Sequence, residues 1–303
     1  MTISAAQVKE LRDISGVGMM ECKKALTETD GDVEKALDLL RSNSALKAEK
    51  KSSRTAADGL IVIAQTSEYS ALAEINSETD FAAKDSKFLE FCNEVKNHLE
   101  ENRVESVEAL NNDFNEKREA LVQAIGENIQ IRRLDLVENV GSVGTYLHSD
   151  SKLGALVSIN IDNFDLAKDL AMHAAASNPS CITQDDIDKD ILEREKAIYK
   201  KQAEESGKDE KIMEKMVEGK VRRFLEEVSF VSQPFVKNPD QKIQELLDES
   251  GAAIVTMSRF KVGANRKIRL VFRKNFTRTK QVHELAKMIG YQSPNTVKIL
   301  MKN

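Results

Sequence analysis

Apolar residues recur at helical spacing through the first 45 positions and are interrupted at two places. Val8, Leu11 and Ile14 share one face of a first helix; Met19, Met20, Lys23 and Leu26 mark a second; Val33, Ala36, Leu37 and Leu40 line a third. The breaks are SGVG (15–18), whose glycines permit a tight turn, and TDGD (29–32), where Asp32 is placed to cap the third helix. Three short helices bury little surface, so residues 1–46 are expected to form a small module of low intrinsic stability. The polar, basic run from 47 to 58 reads as a linker.

Beyond it the period changes from helical to alternating, and the pattern occurs twice. GLIVIAQTSEYSALAEIN (59–76) predicts a β-hairpin running into a helix near 86–99, and GTYLHSDSKLGALVSIN (144–160) predicts another running into DLAKDLAMHAAAS (165–177). ALAEIN (71–76) and ALVSIN (155–160) correspond almost position for position. A further alternating run completes each copy, NIQIRRLDLVE (128–138) and AAIVTMSRFKVG (252–263). The predicted class is α+β, with two duplicated core subdomains whose small antiparallel sheets are covered by helices. The first spans 59–140. The second spans 141–184 and 230–263, because 185–229 interrupts it with two helices around Gly207. Their stripes, Ile187-Ile191-Ile198 and Val217-Val221-Phe224-Val228, are narrow and heptad-like, which predicts an antiparallel, coiled-coil-like helical hairpin.

Composition sharpens this picture. Of 303 residues 31% are charged and 5% aromatic, and tryptophan is absent, which suits a helix-rich soluble chain. The first 260 residues carry 34 basic and 49 acidic groups, whereas 261–303 carry 11 basic and one acidic. So acidic a body repels phosphates and is a poor general nucleic-acid binder. No apolar run reaches membrane-spanning length. The three cysteines (Cys22, Cys92, Cys181) are far apart and never in CxxC spacing, and MTISAAQVKELRD enters a helical pattern without a signal-like segment; both point to the cytoplasm.

No nucleotide-binding glycine loop, nucleophile elbow or metal-ligand spacing occurs, and His98, His148, His173 and His283 lie far apart. The expectation is a binding protein with no catalytic residues, no metal and no cofactor. One feature stands out. At a predicted strand–helix junction, INSETDFAAKD (75–85), an acid and an aromatic sit side by side as Asp80-Phe81. Taken alone, Phe81 reads as a hydrophobic staple and Asp80 as a first-turn acid. The corresponding second junction, IDNFDLAKD (161–169), has Asp162 and Phe164 but no Thr-Asp-Phe.

Several long segments resemble one family in a single order. VKELRDISGVGMMECKKALTETDGDVEKALDLLR (8–41) is similar to the ubiquitin-associated-type (UBA-like) module that opens bacterial elongation factor Ts. NSETDFAAK (76–84) matches that family's most characteristic motif, and LVQAIGENIQIRR (121–133), AMHAAASNP (171–179) and EKMVEGKVRRFLEEVSFVSQPFVKNP (214–239) extend the match. The resemblance covers about residues 1–263. It implies a cytoplasmic guanine nucleotide exchange factor of protein biosynthesis that binds elongation factor Tu and promotes GDP release. It reverses the bland reading of the junction: Asp80, Phe81, Ala82 and Ala83 become the segment that disturbs the partner's Mg²⁺ site. Arg12, Met19, Met20 and Lys23 of the module, with Lys51, Ile125, Gly126 and His148, match further partner contacts. His173 is expected to pack or cap within its own helix.

Residues 264–303 depart from the family, which leads one to expect a short acidic end after FKVG (260–263). A flexible basic tail, a nucleic-acid-binding extension and a segment read out of its usual frame compete. ELAKMIGYQSPNTVKIL (284–300) has a helix–turn–helix flavour, yet the basic run lacks interleaved aromatics, so a poorly ordered tail without specific nucleic-acid binding is the expectation. Two rival functions remain at this point: an adaptor, suggested by the first 46 residues alone, and an RNA-associated protein, suggested by the tail.

Overall fold

The computed structural model describes residues 3–264 and the backbone of 268–271. Three helices open the chain, α1 (Ala5–Ser15), α2 (Met19–Glu28) and α3 (Val33–Lys51). Each end has a local cause. Ser4 and Gln7 form a reciprocal capping box on α1, Gly16 ends it at φ +68°, and the Asp32 carboxylate accepts from the Lys35 N–H at the start of α3. Leu11, Cys22, Leu26 and Ala36 are fully buried and make the small core. α3 continues through Lys51, five residues into the stretch read as a linker. Ala48 there is buried against the next core, so packing overrides the polar composition around it.

The first copy follows as β1 (Asp58–Gln65), β2 (Tyr69–Ser77), the one-turn α4 (Asp80–Ala83), α5 (Ser86–Glu101), α6 (Val107–Asp113), α7 (Asn115–Ile125) and β3 (Gln130–Glu138). The strands form an antiparallel sheet in the order β1-β2-β3. Phe88, Phe91, Cys92, Val95 and Leu99 recur at helical spacing on α5 and pack onto Ala64, Ala73 and Ile75.

The second copy has β4 (Ser142–Leu147), β5 (Leu153–Ile159) and α8 (Phe164–Ser177), then the hairpin α9 (Lys189–Glu204) and α10 (Glu210–Val228). It resumes through β6 (Pro234–Phe235), β7 (Asn238–Lys242), α11 (Ile243–Ser250) and β8 (Ile254–Lys261), and β9 (Ile268–Val271) adds a fourth strand to the sheet β4-β5-β8-β9. That short strand lies inside the segment expected to be a poorly ordered tail; its IRLV run is paired in backbone register with 256–259. The helix–turn–helix-like run 284–300 and His283 lie outside the described residues. In the hairpin, Gly207 adopts φ +63° between the helices, and of the two helices' residues only Ala203 is fully withdrawn from solvent, as narrow stripes dictate.

The duplication reaches below element order. Both central strands carry a register shift at the same repeat position, between Glu74 and Ile75 and between Ser158 and Ile159. The two sheets then pack face to face around Ile61, Leu72, Val143, Leu156 and Phe260. Gly154 permits this approach, because a Cβ there would lie 2.8 Å from Ile61 and 2.9 Å from Leu72. With helices on one side and the other sheet on its back, β2 is buried along its whole length.

Burying both faces of β2 encloses a charged side chain. Glu74 is fully buried; its carboxylate accepts from Arg133 Nε, Arg132 Nη1 (3.2 Å), Asn76 Nδ2 (3.0 Å) and the Gly263 N–H (2.9 Å). Arg133 also donates to the Lys261 carbonyl (2.9 Å) and stacks over Phe260 at 4.2 Å. Charged groups from the first copy thus find partners on the second, across the seam between the two sheets.

Candidate functional site

The tip of the first copy is built outward from β2. The strand ends at Ser77, and Thr79, in extended backbone, caps α4 by accepting from the Ala82 N–H at 3.3 Å. Ala82 and Ala83 are 4% and 3% exposed, so their side chains seat the turn on the first core and do not face solvent. The same turn therefore directs its other two residues outward. Phe81 is 82% exposed, leaving a full aromatic ring outside every core of the described chain. Asp80 pairs with Lys84 at 2.8 Å, and this hydrogen bond, helped by the charges of Lys84 and Lys152, holds its carboxyl below the usual carboxylate range.

A second segment braces the tip from beneath. Gly126 ends α7 in the left-handed region at φ +89°, and the next residue, Glu127, turns its carboxylate to the tip. That carboxylate accepts from Glu78 N–H (3.1 Å), Thr79 N–H (3.0 Å) and Thr79 Oγ1–H (2.7 Å). The bracing is reciprocal, because the Glu78 carboxylate accepts from the Asn128 N–H at 2.7 Å and pairs with Arg54 at 3.6 Å. Asn128 Nδ2 in turn donates to the carbonyls of Ser52 and Arg54 (3.3 and 2.7 Å), just past the end of α3. Lys51 reaches over Gly126, with Nζ 3.7 Å from where a Cβ would stand. Partial burial pushes that ammonium below its ordinary pKa; Arg54 and Lys47 add to the effect, while Glu78 and Glu21 oppose it.

Asp80, Phe81, Lys51 and Gly126 are thus joined through Glu78 and Glu127 into one rim. Ile125 belongs to it by sequence, but its side chain is partly packed on the first core. His148 reaches the same neighbourhood from the second copy. It is exposed in the β4–β5 turn, with Nδ1 3.0 Å from Asp150, and Ser151 of that turn accepts from the Ile61 N–H of β1 (2.7 Å). Lys152 then bonds Asp58 at 2.8 Å while its charge acts on Asp80.

The module's candidates lie on α1 and α2. Arg12 and Lys23 are exposed, and Met19 and Met20, at 50% and 77% exposure, stay out of the core because Cys22, Ala25 and Leu26 occupy it. The module is nevertheless docked: Glu21 accepts from Gln123 Nε2 (2.7 Å) and Lys47, Ser44 bonds Gln123, and Lys87 Nζ donates to the Gly16 carbonyl (2.7 Å). A cleft of about 580 Å³ lies between module and α7, lined by Ile14, Leu37, Leu40 and Ala120, and contains none of the candidate residues. His173 is buried, accepting the Val236 N–H on Nδ1 (3.2 Å) and facing Gln233 Oε1 from Nε2 (3.1 Å).

Sequence reasoning passed over Glu78, Glu127 and Lys152. For Glu127 a signal existed, an acid directly after a helix-ending glycine, but its target lies 48 residues away in sequence. Among the described residues no group of three metal-ligating side chains converges, and no helix is long and apolar enough to cross a membrane.

A family model described as Elongation factor TS matches residues 78–264, from the tip to just past β8. The chain is 46% identical over 263 residues to elongation factor Ts of Hahella chejuensis, covering 86% of this chain and 92% of that protein. It is 46% identical over 267 residues to elongation factor Ts of Saccharophagus degradans and 47% over 268 to that of Teredinibacter turnerae, covering 87% of this chain and 92% of the relative in both cases.

Proposed function

The chain belongs to the elongation factor Ts family and is a translation elongation factor, and on that premise we propose that it is the nucleotide exchange factor of elongation factor Tu. It binds the GDP-loaded GTPase through the rim of the first copy and promotes GDP release, after which GTP enters. The observation that carries this reading is Phe81, an aromatic ring 82% exposed on a capped and seated turn.

The physics is coupling between two ligands. An exchange factor that binds the nucleotide-poor partner more tightly than the GDP-loaded one must weaken GDP by the same factor. GDP in such a GTPase is held by Mg²⁺ and by backbone N–H groups around its phosphates. Phe81 enters a pocket between helices of the partner, and burial of the ring supplies the driving force. Asp80, an anion under ordinary conditions, arrives beside it and disturbs the hydrogen-bond and water network of the Mg²⁺. Lys51, Gly126, His148 and the module's Arg12, Met19, Met20 and Lys23 extend the contact; the two methionines suit an adaptable apolar surface. No bond is made or broken by the chain itself.

The test is GDP release from purified elongation factor Tu carrying fluorescent GDP. The expected result is release that accelerates with added factor and reaches a plateau. Release unchanged at every concentration contradicts the proposal.

A further inference from the structure

We infer that Glu127 is a positioning residue for exchange: its carboxylate fixes the turn at Glu78-Thr79 so that Phe81 is held out in one direction. This rests on the exchange-factor reading above. The turn between β2 and α4 exposes N–H groups that neither strand nor helix satisfies. Two of them, with the Thr79 hydroxyl, converge on one carboxylate at 2.7–3.1 Å. Thr79 Oγ1 is used twice, donating to Glu127 and accepting from the Ala82 N–H, so the brace also orients the helix cap. Glu78 returns the interaction to Asn128, and the two strands of chain hold each other at both ends.

The second copy isolates what this brace is for. There, too, a helix ends at a left-handed glycine, Gly251 at φ +65°, before the third strand. Two residues, Ala252 and Ala253, separate it from Ile254, which pairs with Ile159; in the first copy four residues separate Gly126 from Ile131, which pairs with Ile75. The longer loop contains Glu127 and Asn128. The shorter one has no carboxylate, and Ala253 bonds Asn160 directly through backbone and side chain (3.1 and 2.6 Å). The brace accompanies the copy with the extra turn and the protruding ring. Seating the turn is already the work of Ala82 and Ala83, so the carboxylate acts on direction more than on attachment.

A wedge must arrive in register, and misplacement by about 1 Å can cost on the order of 100-fold in rate. The experiment measures GDP release from elongation factor Tu with the full chain, below saturation, for the parent, Glu127→Ala, Phe81→Ala and the double variant. Glu127→Ala is expected to lower exchange about tenfold, on the scale of a partial misplacement. In the Phe81→Ala background the same change should cost less than about twofold, since the ring it aims is gone. Glu127→Gln should recover most of the rate, because one amide oxygen still accepts both N–H groups and the Thr79 hydroxyl can rotate. A readout independent of exchange is chymotryptic cleavage after Phe81, mapped by mass: Glu127→Ala should speed this cut and leave the others unchanged. Parental exchange by Glu127→Ala while Phe81→Ala is impaired overturns the inference and leaves the exchange reading standing. An equal loss in both backgrounds, or unchanged cleavage after Phe81, also overturns it. Parental exchange by Phe81→Ala removes the exchange-tip reading itself, and the inference with it.

Discussion

The two copies of the α+β subdomain share a hairpin, a bulge, a covering helix and a third strand, yet they end differently. After β2 the first copy adds a capped turn, α4, that leaves Phe81 82% exposed; after β5 the second runs straight into α8, with Asn163 as cap and Phe164 half exposed as its first residue. One position inside the frame also differs. Where the first copy buries Glu74 beneath two arginines, the second buries Ser158, whose hydroxyl donates to the Glu138 carbonyl at 3.3 Å. The frame, common to both, accounts for stability. The tip, peculiar to one, is the feature on which the proposed function rests. A duplicated scaffold can therefore be read against itself: the elements both copies keep serve folding, whereas each difference, Glu74 inside the frame or the tip outside it, needs its own explanation.

The largest expected effect tests the frame. Glu74→Ala removes the carboxylate that Arg133, Arg132, Asn76 and the Gly263 N–H share between the sheets, and should destabilise the chain by about 3–5 kcal/mol in urea unfolding. Ser158→Ala, at the matching position, should cost about 1 kcal/mol. Equal losses would remove the distinction between the two buried sites. The next effect tests the tips. Phe81→Ala should weaken binding to elongation factor Tu by about 2–4 kcal/mol in calorimetry, as for a central aromatic anchor. Phe164→Ala should change it by less than about 0.5 kcal/mol, and neither should lower the melting temperature.

A smaller, pH-dependent difference separates the cores. His173 sits in the second, where burial holds its pKa below the ordinary 6.5 despite the opposing bond to Gln233. The Val236 N–H donates to Nδ1, so protonation must break that bond. The folded pKa is depressed, so this contribution is complete above the unfolded value. It declines as pH falls from about 6.5 towards the folded pKa, with a slope of at most about 1.4 kcal/mol per pH unit. Unfolding followed at pH 7.5, 6.5 and 5.5, with His173→Gln as the comparison, should show the decline in the parent and a shallower one in the variant. Asp80 provides the smallest expected effect, since it is exposed and shares its charge with Lys84. Asp80→Ala should slow exchange when Mg²⁺ is present and lose most of that deficit when the metal is chelated. An equal deficit under both conditions would assign Asp80 to holding the turn.

The parts of this architecture that come from local periodicity were legible in the residues. The duplicated hairpins, the helix near 86–99, the Gly207 turn and the Asp32 cap each depend on neighbours within a few positions. Three things escaped for the opposite reason. The continuation of α3 through Lys51 depends on Ala48 meeting a core built from residues far along the chain. The Glu74–Arg133 network needs both sheets in place, and alternation along β2 gives no sign that both of its faces are covered. Glu127 lies within a segment that resembles the family, but its action on Thr79 is created by the pairing of β2 with β3. For the site, Phe81 stood out by residue type and place. Ala82 and Ala83, grouped with it on the motif, turn out to face inward, a distinction that requires the helical turn to be seen.

The central claim is that the first tip drives exchange and the second does not. The most direct test is GDP release from elongation factor Tu by Phe81→Ala and Phe164→Ala side by side, at equal concentrations of folded protein. The account predicts a loss of about 30-fold or more for Phe81→Ala, the rate equivalent of a 2 kcal/mol anchor, and a parental rate for Phe164→Ala. Parental exchange by Phe81→Ala, or an equal loss from both, would contradict it.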